Sequence, residues 1–79
     1  MVKIHTSYSN IKGISLLQDA FDAAGWKTDI LMVDDDTVYL RAKRDSNDRT
    51  EYQEDSESAM YAYLRYGIKA LRQWAIENK

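Results

Sequence analysis

The sequence predicts an α+β fold, a two-layer sandwich in which two helices cover one face of a mainly antiparallel sheet of three or four strands. Apolar and polar residues alternate near residues 2–6 and 37–44, as they do in half-buried strands. Two other stretches, residues 14–24 and 56–79, have the spacing of amphipathic helices. The expected order is β-α-β-β-(β)-α, within a single domain that covers residues 1–79.

The first strand and the first helix occupy the N-terminal third of the chain. Val2, Ile4 and Thr6 alternate with polar residues, and a connection over residues 8–12 offers Ser9 or Asn10 as an N-cap. The helix then runs to about residue 24. Gly25 follows it, at the position where helices commonly end in a left-handed residue. The face expected to pack on the sheet is formed by Ile14, Leu17, Ala20, Phe21 and Ala24.

Two further strands are expected over Trp26–Val33 and Thr37–Arg44, with a tight turn between them. In the second, Val38, Leu40 and Ala42 should face the helices, with Tyr39, Arg41 and Lys43 outward. Residues 30–33 are all apolar, which is typical of a strand that is central or covered on both faces. Placing the third strand between the first two makes every pairing antiparallel, and the first crossover is then right-handed.

The segment before the last helix has two interpretations. Asp45–Asp48 is a strong turn signal, so Arg49–Gln53 is expected to be a short fourth strand, with Ser56 as the N-cap of the last helix. The spacing of Thr50 and Gln53 also matches a capping box, which would start that helix earlier.

The last helix, Ser56–Lys79, carries more apolar surface than one small core needs. One stripe should face the core, namely Met60, Leu64, Ile68, Leu71 and Ala75. Gly67, on the core side, should permit close packing. A second sector contains Ala59, Tyr63, Tyr66, Ala70 and Trp74, and together the two sectors span about twice the usual apolar arc. These aromatics either pack under the first helix with their polar tips in water or form an interface, where Tyr and Trp are enriched. The predicted contact residues are Tyr63, Tyr66, Ala70 and Trp74.

Carboxylates are expected to gather at one end of the molecule. The topology should bring the turn residues Asp34, Asp35 and Asp36 near the start of the last helix, where Glu54, Asp55 and Glu57 lie. Aspartate in turns and acids at helix N-termini have ordinary structural reasons. A functional acidic end would engage a basic protein surface, or hold a divalent cation.

Composition narrows the function classes. The formal charge of −2 argues against direct nucleic-acid binding and membrane-surface binding, and there is no cysteine. The longest strongly apolar run, residues 30–33, is too short to span a bilayer. His5 is the one histidine, with no evident partner for acid–base chemistry, and the glycines are too scattered for a phosphate loop. We expect no catalytic residue, no cofactor and no metal, in a cytoplasmic protein.

Two resemblances bear on function. Residues Ile14–Phe21, a hairpin-rich middle and the Ala-rich helix Ser58–Leu71 resemble the layout of double-stranded-RNA-binding domains. Where that family carries a basic cluster this chain has residues 54–57, mostly acidic, and Asp34–Asp36 replace the family's histidine-bearing loop. Such a surface repels phosphates, so RNA binding is not carried over. The small, acidic, cysteine-free profile resembles accessory proteins of phages and mobile elements, including anti-restriction and anti-CRISPR inhibitors.

The sequence therefore predicts a non-enzymatic protein that acts by stoichiometric contact with another protein, one with a basic surface. In this hypothesis the aromatic face of the last helix makes the contact, and the acidic end steers it. The alternatives are an acidic nucleic-acid mimic that occupies a basic channel, and a small homodimeric module joined through the last helix.

Overall fold

The computed structural model describes residues 1–49 and 52–79. Strand β1 (Val2–Ser7) leads through one turn of 3-10 helix (Tyr8–Asn10) into helix α1 (Ile11–Ala23). Strands β2 (Lys27–Met32) and β3 (Thr37–Lys43) form a hairpin. The chain ends in two helices, α2 (Tyr52–Tyr66) and α3 (Ile68–Glu77).

The sheet has the predicted topology. Its strand order is β1-β3-β2 and both pairings are antiparallel, with Leu40 of β3 opposite Ile4 on one side and Ile30 on the other. The helices form a second layer on one face, α1 against all the strands and α2 against β1, while α3 packs on α1 and α2. The α+β sandwich is thereby confirmed, with a three-stranded sheet in the described residues.

The core lies between these two layers and contains the residues that alternation predicted. Val38, Leu40 and Ala42 are fully buried on the inner side of β3. The remaining core residues come from β1, the three helices and the segment before β2, namely Val2, Ile4, Ile14, Leu17, Ala20, Phe21, Trp26, Ala59, Leu71 and Ala75. The prediction that β2 is central or covered on both faces is wrong. Strand β2 is an edge strand covered on one face, and Met32 and Val33 are more than half exposed.

The end of α1 turns the chain sharply toward the sheet. Gly25 has φ +90°, the left-handed conformation predicted for it, and its N–H donates to the carbonyl of Asp22. The next N–H, that of Trp26, donates to Phe21 O at 3.0 Å. Trp26 therefore precedes β2 instead of beginning it, and the turn directs its indole into the core.

The single last helix predicted over Ser56–Lys79 is wrong, because the chain breaks at Gly67. Gly67 has φ +92° and ψ −172°, a conformation that is essentially restricted to glycine. Its N–H still donates to Tyr63 O, and its carbonyl already accepts from Leu71 N, so the break sacrifices few hydrogen bonds. Nothing lies within 4 Å of a Cβ built on Gly67, so the glycine serves the backbone and not the close packing that was predicted.

Only part of the predicted core stripe is buried. Leu71 and Ala75 on α3 are buried as expected, but Leu64 on α2 is 75% exposed. Met60 and Ile68 are partly buried against the core. Leu64 precedes the break and lines the cleft that Ile4 and Met60 also line, where its side chain remains largely open to solvent.

Gly67→Ala is expected to lower the free energy of unfolding by about 2 kcal/mol, because an L-residue is strained at this φ and ψ. Urea denaturation followed by circular dichroism measures the loss. Lys69→Ala, an exposed change on α3, should stay within about 0.5 kcal/mol. Equal stability of the two variants would show that the kink is not required.

The start of α2 differs from the preferred interpretation. Tyr52 and Gln53 already lie in the helix, so a fourth strand over Arg49–Gln53 is wrong. Ser56 is inside the helix and not its N-cap, and its Oγ accepts the N–H of Lys3 at 2.7 Å, which satisfies an edge amide of β1. The capping box proposed at Thr50 falls outside the described residues.

Candidate protein-binding surface

Helix α2 exposes large apolar side chains along its second half. Tyr61 is 61% exposed, Leu64 75% and Tyr66 68%. The rings of Tyr61 and Tyr66 meet edge to face, with centroids 6.4 Å apart. Single exposed apolar residues are normal on protein surfaces, but a cluster of this kind is typical of a binding site.

Part of this cluster borders a shallow groove between α2 and α3, called the α2–α3 groove below. Its volume is about 580 Å³, and it is lined by Glu57, Ser58, Tyr61, Ala62, Tyr66 and Trp74. The lining is mainly apolar, with one carboxylate at its border. Such a surface suits a partner that brings an apolar side chain together with a cation.

Trp74 connects the groove to the core. Its ring lies 5.8 Å from that of Trp26 and 6.3 Å from that of Phe21, centroid to centroid, and the side chain is half-buried. Trp26 is itself fixed by a hydrogen bond from Nε1 to Ala75 O at 2.8 Å. The indole of Trp74 therefore packs against the core, and a side chain positioned by packing loses less conformational entropy on binding.

The predicted contact residues do not all lie together. Tyr66 and Trp74 line the α2–α3 groove, whereas Tyr63 lines a separate cleft of about 280 Å³ between α1 and α2. Ala70 is half-buried on α3 and lines neither. Tyr61 and Ala62 also line the α2–α3 groove and were not among the predicted contact residues. Ala62 is four residues from both Ser58 and Tyr66, and Tyr61 is four residues from Glu57, so helical spacing places them on one face, which differs from the sector predicted for a continuous helix.

The predicted acidic end is wrong, because its two halves lie at opposite ends of the sheet. Asp34–Asp36 precede β3, while α2 begins beside the other end of that strand, where Asp55 contacts Arg44. Seven residues of β3 separate them, about 20 Å. The error arose from the fourth strand, which would have returned the chain to the hairpin turn. Glu54 and Glu57 remain exposed on α2.

Asp34 has a structural role in its turn. Its Oδ1 accepts the backbone N–H groups of Asp36 at 2.8 Å and Thr37 at 2.9 Å. Asp36 contributes its carbonyl to Tyr8 N, which joins the turn to the end of β1. Asp35 and Asp36 are otherwise exposed.

Asp55 belongs to a partly buried ionic cluster, called the Arg44 cluster below, that contains Arg44, Asp48, Asp55 and the amino group of Met1. Asp55 accepts from Arg44 at 2.7 and 3.2 Å and from the Met1 amino group at 2.5 Å. These hydrogen bonds, with that from Arg44 the largest cause, hold the pKa of the Asp55 carboxyl below its usual value against the opposing effect of burial. Asp55 therefore stabilises the fold through these intramolecular contacts, and we no longer assign it to partner binding.

The described residues contain no group of three or more His, Cys, Asp or Glu side chains placed to hold a metal ion. Within the same residues, no helix is long and apolar enough to cross a membrane. Comparison with protein-family models, curated proteins and solved structures finds no match to the chain.

Proposed function

We propose that the protein is a non-enzymatic binding protein that docks on another protein through the α2–α3 groove. The observation that carries the proposal is the contiguous exposure of Tyr61 and Tyr66 beside Trp74, which packs on the core. Aromatic side chains in such an arrangement are typical of the residues that dominate binding energy at interfaces. Stoichiometric inhibition of the partner is the form of this function that the resemblance to phage accessory proteins favours.

The acidic residues of α2 determine which partner suits the groove. Glu57 lines it and Glu54 is exposed one turn away, and neither forms an ion pair within the described residues. A partner with an apolar side chain flanked by Lys or Arg would pair with them. Carboxylates at the rim mainly increase the rate of association and the selectivity, while the buried aromatics supply most of the affinity.

The alternative of a nucleic-acid mimic has less support. That hypothesis needs Asp34–Asp36 and the acids of α2 to act together, whereas they lie at opposite ends of the sheet. Asp55 is also occupied by Arg44. Catalysis likewise finds no support in His5, whose ring stacks on Tyr39 at 5.2 Å.

Tyr66→Glu is expected to weaken binding of the partner at least about tenfold, because it places a charge in the apolar contact. The C-terminally tagged protein would be used to capture its partner from a bacterial lysate at low and high salt, with quantitative mass spectrometry. We expect one near-stoichiometric partner that survives high salt and is lost with the variant.

The matched control is Tyr8→Glu, because Tyr8 is an exposed tyrosine too, but it lies in the 3-10 turn after β1 and does not line the groove. Both variants should keep their stability within about 0.5 kcal/mol, since both sites are exposed. Equal capture by the two variants would contradict docking at the groove. Recovery of the protein alone, with a doubled mass in light scattering, would favour a homodimer instead.

A further inference from the structure

The second face of the sheet is uncovered by any helix in the described part of the chain. All three helices pack on the side where Val38, Leu40 and Ala42 point. The alternate residues of the strands form the opposite side, called the outer face below. Strand register places them in cross-strand rows, namely Lys27 beside Lys43, Asp29 beside Arg41 and Lys3, and Leu31 beside Tyr39 and His5.

The outer face is positively charged although the whole chain is not. Lys3, Lys27, Arg41 and Lys43 are its cations, and Asp29 is the carboxylate among the rows named above. Asp29 pairs with Arg41 at 2.9 Å, and the Arg41 Nε–H has no acceptor in the described residues. The chain as a whole has a formal charge of −2, so the positive outer face must be balanced by an excess of negative charge elsewhere on the molecule. A basic surface of this kind attracts polyanions.

Aromatic rings lie among these cations. The ring of His5 stacks on that of Tyr39, with centroids 5.2 Å apart and an interplanar angle of 29°. The ammonium of Lys3 lies 5.8 Å from the centre of the Tyr39 ring and 4.6 Å from that of Tyr52, at the start of α2. Since His5 is exposed, the stack has one end open to solvent.

We propose that the outer face binds single-stranded nucleic acid. A basic surface with interspersed aromatic rings is the combination that binds single strands, because cations follow the phosphates while unpaired bases stack on the rings. An acidic polypeptide would use the cations but not the rings. A duplex keeps its bases stacked internally and would not use the rings either.

This site is independent of the α2–α3 groove, which lies in the helical layer. The expectation of no nucleic-acid binding followed from the net charge and from the acids near α2. The net charge is a sum over the whole chain, and the acids near α2 lie in the helical layer, so neither gives the local charge of the outer face.

The test is fluorescence anisotropy with labelled oligothymidylate and oligouridylate at about 50 and 200 mM salt. Lys27→Glu with Lys43→Glu should weaken binding at least about tenfold at the lower salt. The same change should reduce the log–log salt slope by about 1.4, because two phosphates would no longer be neutralised. The control is Lys69→Glu with Arg72→Glu, which makes the same change in net charge on α3. It should leave the affinity within about threefold, because the salt-screened charge of that helix acts only at a distance.

Tyr39→Leu tests the rings separately. It should weaken binding about tenfold for the loss of a stacked base while leaving the salt slope unchanged. Lys27 and Lys43 are cross-strand neighbours, so changing both to Glu replaces a pair of positive charges by a pair of negative charges. We therefore expect the charge-reversed variant to fold. If the reversed variant nevertheless failed to fold, Lys27→Gln with Lys43→Gln would be compared with Lys69→Gln and Arg72→Gln, which make the same change in net charge.

Several results would overturn the proposal. No binding of either oligonucleotide by the unaltered protein at about 50 mM salt would do so, since electrostatic attraction is strongest there. If the two charge-reversed variants lost the same affinity for the oligonucleotides, binding would depend on the net charge of the protein and not on the outer face. Polyglutamate that displaces the oligonucleotide as well as unlabelled oligothymidylate does, or a duplex that binds as tightly as the single strand, would assign the face to another ligand.

Discussion

Replacing Arg44 with Met is expected to lower the free energy of unfolding by about 3 kcal/mol, the low end of the cost of removing one partner from a buried ion pair, because the Arg44 cluster is only partly buried. The Arg44 guanidinium joins parts of the chain that are far apart in sequence. It donates to both oxygens of Asp55 on α2 and, through Nε, to Asn78 O after α3 at 2.6 Å. It also lies 4.8 Å from the ring of Trp26. Met keeps the aliphatic stem, so the loss reports on the charge and its hydrogen bonds.

The pH dependence of this loss has a definite sign. Hydrogen bonding from Arg44 lowers the pKa of Asp55, so Asp55 contributes stability that is present above its unfolded pKa of about 4 and is lost as the pH falls through the folded value. The pKa of Arg44 is raised, with the hydrogen bond to Asp55 as the main cause, so Arg44 stays charged through this range. The difference between Arg44→Met and the unaltered protein should therefore be full at pH 7 and shrink in acid below about pH 4.

Urea denaturation at pH 7 and at about pH 3 measures both effects. Arg65→Met is the matched control, since Arg65 is exposed on α2, and its effect should stay within about 0.5 kcal/mol at either pH. A loss for Arg44→Met that is small, or that is the same at both pH values, would contradict the role assigned to the Arg44 cluster.

Where one face of a strand is buried, the sequence predicted the fold well. A one-residue shift of β3 would expose Val38, Leu40 and Ala42 together, so alternation alone determines which side faces the helices. The strand order followed from requiring antiparallel pairs, and Gly25 was identified because it closes a strongly periodic helix. The side of β3 and the end of α1 follow from residues close in sequence, and the strand order follows from the connections between elements.

The candidate site depends on the break at Gly67 and on strand pairing, neither of which can be read from the spacing of apolar residues. The apolar spacing of residues 56–79 continues through Gly67, and a glycine within a helical pattern is compatible with either a helix interior or a break. The break sets how α3 meets α2, so Trp74 lines the α2–α3 groove together with Tyr66, while Tyr63, on the same helix as Tyr66, lines the cleft between α1 and α2. The distribution of charge was hidden for a similar reason. Residues such as Lys27 and Lys43 are far apart in sequence and become neighbours only in the paired sheet.

Trp26→Ala is expected to lower the free energy of unfolding by about 4 kcal/mol, the largest effect of a single substitution that we predict for this protein. Trp26 is 4% exposed and its ring meets Phe21 edge to face at 5.1 Å. The indole also supplies the hydrogen bond to Ala75 O and lies against Arg44. Its removal leaves a cavity between the sheet and the helices, and the carbonyl of Ala75 loses the hydrogen bond from the indole.

Trp26→Phe separates these contributions, because it keeps an aromatic ring but removes the indole N–H. We expect a loss of about 2 kcal/mol, combining the hydrogen bond with the smaller ring volume. Unfolding should be followed by far-UV circular dichroism, since fluorescence changes when a tryptophan is removed. A loss below about 1.5 kcal/mol for Trp26→Ala would contradict the packing described for it.

Combining Trp26→Phe with Trp74→Phe in a double-mutant cycle then tests whether the core holds the groove in place. The two rings are 5.8 Å apart, so their changes should be non-additive by about 0.5–1.5 kcal/mol. If they couple, Trp26→Phe should also weaken capture of a partner at the α2–α3 groove, although Trp26 itself is buried. Additive effects, with capture unchanged, would mean that Trp74 keeps its position without support from Trp26, and that binding depends on the exposed residues of α2 alone.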